Sequence, residues 1–71
     1  MKQLQERRIE TWELETIPEK RNRVFKVSYT VMGGVVRYEK IFQSKRWVNE
    51  YINNPKHEKI KVYVGDVVYD E

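Results

Sequence analysis

The chain has 71 residues, a formal net charge of +3, one histidine and no cysteine. That length holds one domain with a thin core, because so small a chain buries only about 60% of the surface it exposes when unfolded. The lack of cysteine excludes disulfides and thiolate metal sites and favours a reducing compartment, so a cytoplasmic location is expected. Residues 1–10 carry no apolar run of the kind a signal peptide or a membrane span needs, and no membrane contact is expected.

Taken in chain order, residues 1–9 offer only Leu4 and Ile9 as large apolar side chains after the start, and read as a loose arm or a frayed helix. Residues 11–17 set Trp12 and Leu14 against Glu13 and Glu15, an alternation that predicts a half-buried strand ended by Pro18. Residues 23–32 alternate more fully, with Phe25, Val27, Tyr29 and Val31 on one side and Lys26, Ser28 and Thr30 on the other. Gly33-Gly34 then supplies the positive φ that a tight hairpin turn demands, and residues 35–43 return as the partner strand. This register sets Phe25 opposite Phe42, Tyr29 opposite Tyr38 and Val31 opposite Val36. It also sets Val27 opposite Lys40, a mismatch that predicts a bulge near Lys40 and Ile41.

Ser44 is a good N-cap for a helix over residues 45–54, whose stripe of Trp47, Val48, Tyr51 and Ile52 faces the sheet. Asn53, Asn54 and Pro55 stop it. Residues 59–64 alternate again, with Ile60, Val62 and Val64 inward. Gly65-Asp66 either bulges this strand or turns it into a short last strand at 67–69. The expected fold is α+β: a small, mostly antiparallel sheet of three to five strands with one helix on one face, in the order β-β-β-α-β around the Gly-Gly hairpin.

Nothing in the sequence assembles a catalytic site. His57 sits alone in the polar run 55–59, where a solvent-facing side chain is expected. Ser28 lies on a strand and Ser44 has its capping role, so no nucleophile and base come together. The carboxylate pairs Glu13/Glu15 and Asp70/Glu71 lack apolar surroundings that would raise a pKa. No enzyme activity, cofactor or metal is therefore expected.

Charge is distributed unevenly. Residues 1–19 and 47–71 each carry −2, and residues 20–46 carry +7. The hairpin register brings Lys20, Arg21 and Arg23 to the end of the sheet where Lys45 and Arg46 open the helix. With Ser44 and the free amides of the first turn they predict an anion site, and phosphate is the natural ligand. Lys26 and Arg37 extend the positive charge along the outward hairpin face. The expectation is a non-catalytic module that contacts nucleic-acid backbone, DNA or RNA, through these eight residues. The aromatics Tyr29, Tyr38, Trp47 and Tyr51 are assigned to the core, with Trp12 and Tyr69 less securely placed. The alternative is a protein–protein interaction module, a small regulator or inhibitor of an intracellular complex. It would add a partner's strand at the first or last strand, unless Glu13, Glu15, Lys59 and Lys61 guard those edges.

Overall fold

The computed structural model describes residues 2–69, with side chains from residue 3 to residue 68. The Asp70/Glu71 pair and the Tyr69 side chain lie outside the described residues. Four strands, β1 (Lys2–Ile9), β2 (Arg23–Val31), β3 (Val36–Phe42) and β4 (Glu58–Tyr69), form one antiparallel sheet in the order β1-β4-β2-β3. Among the described residues one α-helix, α1 (Lys45–Ile52), a 3-10 helix (Thr11–Thr16) and a short 3-10 turn (Met32–Gly34) complete the fold. The α+β class, the small antiparallel sheet and the single helix on one face stand as expected, but the first strand of the expected β-β-β-α-β order is residues 2–9 and not 11–17.

Three elements differ from the sequence reading. Residues 2–9 are neither a loose arm nor a frayed helix but an edge strand, paired with β4 from Lys2 opposite Tyr69 to Ile9 opposite Val62. Backbone pairing holds it, and Ile9 is its only buried side chain among the described residues. Residues 11–16 form a 3-10 helix rather than a strand. Its three-residue turn puts Leu14 and Ile17 on one side, buried in the core, and leaves Trp12 exposed. Residues 58–69 are one continuous strand, so Gly65-Asp66 is neither a turn nor a break. At Gly65 the space a Cβ would fill is taken by Leu4 and Val24, with Leu4 Cδ1 only 2.9 Å from that position.

The hairpin register is as predicted, with Phe25 opposite Phe42, Tyr29 opposite Tyr38 and Val31 opposite Val36. The reversal spans residues 32–35, with φ of 53° at Met32, 74° at Gly33 and 89° at Gly34. The expected bulge at Lys40 and Ile41 is absent, since Val27 pairs with Lys40 without interruption. The mismatch costs little because β3 is an edge strand exposed on both faces, and Val27 is buried from its other side beside Val62. The irregularity falls instead between β2 and β4. Ser28 pairs with Lys61 and Thr30 with Glu58, so β4 carries one extra residue there, with Lys59 at φ 50°.

Residues opposite one another share a face, which divides the sheet into an inner and an open side. The inner face carries Phe25, Val27, Tyr29, Val62, Val64 and Ile9. Leu14 and Ile17 beside the 3-10 helix and Val48 of α1 close the core over it. An aromatic group extends this core: Tyr29 stacks on His57 with ring centroids 4.1 Å apart, and Tyr51 packs against Phe42 at 5.0 Å. His57 is therefore half-buried rather than solvent-facing, and its Nδ1 lies 2.8 Å from the Tyr51 carbonyl oxygen. Only Val48 of α1 is fully buried. Val48, Tyr51 and Ile52 already fill the stripe of this two-turn helix, and Trp47 at its margin is exposed. The open face, with Arg8, Tyr63, Lys26, Lys61, Glu39, Arg37 and Ile41, carries no helix among the described residues.

Candidate functional site

The polar loop between the 3-10 helix and β2 does meet the start of α1, as the hairpin register requires. The Glu19 carboxylate accepts a hydrogen bond from the Lys45 backbone N–H at 2.7 Å, and Ser44 Oγ accepts one from the Arg46 N–H at 3.2 Å. Lys20 and Arg21 line a shallow groove with Glu19 and Gln43. Two distant groups of cations thus converge where the helix begins. The anion position at the helix N-terminus, however, is filled by the protein's own carboxylate. Glu19 supplies the favourable negative charge that Lys45 and Arg46 do not.

The other predicted residues are engaged elsewhere. Arg23 grips Asp66 through two hydrogen bonds, Nε to Oδ1 at 2.7 Å and Nη2 to Oδ2 at 3.2 Å, while its Nη1 donates to the Pro18 carbonyl at 2.8 Å. The hydrogen bond from Arg23 holds the Asp66 carboxyl below the usual carboxylate range and, reciprocally, raises the Arg23 guanidinium above its ordinary value. Asn22 reinforces the tie, its side chain donating to the Val67 carbonyl at 3.0 Å. Arg23 is therefore a clamp between loop and β4, and its charge is neutralised. Lys26 lies on the open face, 3.1 Å from Glu6 and 3.9 Å from Glu39, with Nζ 4.6 Å above the centre of the Tyr63 ring. Its hydrogen bond to Glu6 raises its pKa. Arg37 is also on the open face, towards the hairpin end, where Nη1 donates to Ser28 Oγ at 2.6 Å. Neither residue extends the contact at the helix, because α1 lies on the opposite side of the sheet. Arg46 lines a separate groove along the outer side of α1 with Asn49, Glu50, Asn53, Asn54 and Pro55. The eight residues thus do not form one patch. Among the described residues, Lys20, Arg21, Lys45 and Arg46 are those of the set with no carboxylate within 4.0 Å and no other side-chain engagement.

A second surface was not legible in the sequence. Expectation put the sheet edges at the first and last strands, yet β4 lies inside the sheet and the edges are β1 and β3. The two edges differ in chemistry. The described part of β1 exposes Gln3, Gln5, Glu6, Arg7 and Arg8 with Leu4 the one large apolar side chain among them. On β3, its turn and the adjoining helix, Met32 and Val35 (82% exposed each), Ile41 (62%), Trp47 (54%), Tyr38 (45%) and Val36 (41%) all face solvent. They make up six of the eight large apolar side chains exposed among the described residues. In the sequence reading Tyr38 and Trp47 belong to the core and Val36 lies opposite the inward Val31, yet all three are exposed. Only the strand order shows that β3 has a neighbour on one side alone.

No group of three or more His, Cys, Asp or Glu side chains is placed to hold a metal ion among the described residues, and no described helix is long and apolar enough to cross a membrane. No family model, curated protein or solved structure matches this chain.

Proposed function

We propose that this chain is a non-catalytic protein-binding module whose contact element is the free edge of β3. The observation that carries this reading is the concentration of exposed apolar side chains on that edge and its flanks, set against a polar β1 edge. An unpaired strand presents a row of N–H and C=O groups to solvent, and proteins commonly blunt such edges with charge. On β1 that device is present. β3 carries Arg37, Glu39 and Lys40 as well. Val36, Tyr38 and Ile41, between and beside them, still leave the edge able to take up an extended strand, with backbone bonds giving affinity and alternate side chains giving specificity.

The test is sedimentation of the fluorescently labelled chain, at nanomolar concentration, in nuclease-treated extract of the cells that make it. The wild type is expected to sediment faster than the free 8.7 kDa chain. Val36→Lys/Ile41→Lys is expected to sediment as the free chain while keeping its fold, since both positions are exposed and such changes cost within about 0.5 kcal/mol. A complex that survives the double substitution, or no complex at all, contradicts the proposal.

A narrower reading remains for Lys20, Arg21, Lys45 and Arg46, favoured by the absence of a carboxylate within 4.0 Å of their charged groups among the described residues, although Lys20 lies near enough to Asp66 to help lower its pKa. Contact of these four with nucleic-acid backbone would be electrostatic, its affinity falling with salt by a log–log slope of about −0.9 per neutralised phosphate on duplex DNA. A gel-shift series at rising salt on wild type and Arg21→Glu/Arg46→Glu tests it. No shift at low salt rules it out.

A further inference from the structure

We infer that the strand completing the β3 edge is β3 of a second copy of this chain, paired antiparallel across a two-fold axis at Tyr38. The inference rests on the protein-binding reading of that edge and names its partner. In an antiparallel edge strand the outward-pointing N–H and C=O groups belong to alternate residues. Two identical strands can therefore form a regular ladder only when opposing residues differ in number by an even count, which places the axis at a residue. With the axis at Tyr38, Arg37 faces Glu39 of the second copy and Glu39 faces its Arg37, so two opposite-charge pairs form on the open side. Tyr38 faces Tyr38 and Val36 faces Lys40 on the inner side, the lysine stem lying along the valine. No like charges face each other. Moving the axis to Arg37, Glu39 or Lys40 sets that charge directly against itself. The sequence Val36-Arg37-Tyr38-Glu39-Lys40 is thus self-complementary about its centre, as an interface with two-fold symmetry requires. Both copies of α1 then lie on the same side of one eight-stranded sheet.

Sedimentation equilibrium of the purified chain at low salt, from micromolar to millimolar concentration, tests this. Wild type is expected to form a concentration-dependent dimer. Arg37→Glu and Glu39→Arg each replace two attractive pairs with two repulsive ones, and each is expected to raise the dissociation constant about tenfold. The double substitution Arg37→Glu/Glu39→Arg restores both pairs and is expected to recover wild-type association. An equimolar mixture of the two single variants is expected to associate as well, which shows that each retains its fold. A wild type that stays monomeric throughout overturns the inference, and so does a double variant no better than the single ones. A purified monomer that still forms an extract complex abolished by Val36→Lys/Ile41→Lys means that the edge binds protein but not a second copy.

Discussion

Lys59 holds a left-handed backbone at φ 50°, a conformation in which a Cβ crowds the following carbonyl. It does so because the bulge in β4 needs one residue with that twist, and position 59 carries a lysine where glycine would rest without strain. Lys59→Gly is expected to raise stability by about 1 kcal/mol, read from urea unfolding with an unchanged m-value. Arg23 and Asp66 set the pH response at the same scale. The arginine's hydrogen bond depresses the folded pKa of Asp66 below its unfolded value. The stability this pair contributes is therefore complete above the ordinary aspartate range, and is lost as pH falls from there through the lowered folded value. Acid titration of the unfolding midpoint is expected to show that loss in wild type and a flatter limb in Asp66→Asn. Lys26 has the opposite sign: its raised pKa means that its pairing is lost only as pH rises beyond the usual lysine range. The Arg23 and Asp66 pair was not legible in the sequence, because the two lie 43 residues apart. Glu19 could be read as a neighbour of the cations, though not as the cap of Lys45, 26 residues away.

Among the elements, those announced by a turn or a cap were readable and those without such a signal were not. The β2 and β3 register followed from the Gly33-Gly34 reversal and the matched pairs around it. The helix followed from Ser44 and the Val48, Tyr51, Ile52 stripe. β1 gave no signal because an edge strand buries backbone rather than alternate side chains, with Ile9 alone reaching the core. The 3-10 helix was misread because Trp12 and Leu14 alternate as strand residues do, while the spacing that matters is Leu14 to Ile17. The basic cluster was half legible. The register did bring Lys20 and Arg21 to the start of α1, but the capping role of Glu19 depends on the loop's path, which no local pattern encodes. Attachment of α1 rests on Val48, its one fully buried side chain. Val48→Ala is expected to cost about 2 kcal/mol by the methyl groups lost and the cavity left, measured by denaturant unfolding. Trp47→Ala, at an exposed position, is expected to leave the midpoint nearly unchanged.

At the scale of the whole molecule, one helix on a four-stranded sheet cannot cover everything. The chain spends its large side chains on the inner face of β2 and β4, and α1 reaches only the Phe42 end of β3. The result is an asymmetric sheet, polar along β1 and mixed apolar and charged along β3. An edge with exposed apolar side chains is open to pairing, and in the proposed complex a partner strand occupies it. Amide hydrogen exchange tests this most directly. In the dilute free chain, the outward-pointing amides of β3 are expected to exchange fast while those of β2 and the middle of β4 are protected. In the associated state, the alternate outward amides of β3 are expected to slow selectively. An associated state in which those amides exchange as fast as in the free chain contradicts the account, because contact would then lie elsewhere on the surface.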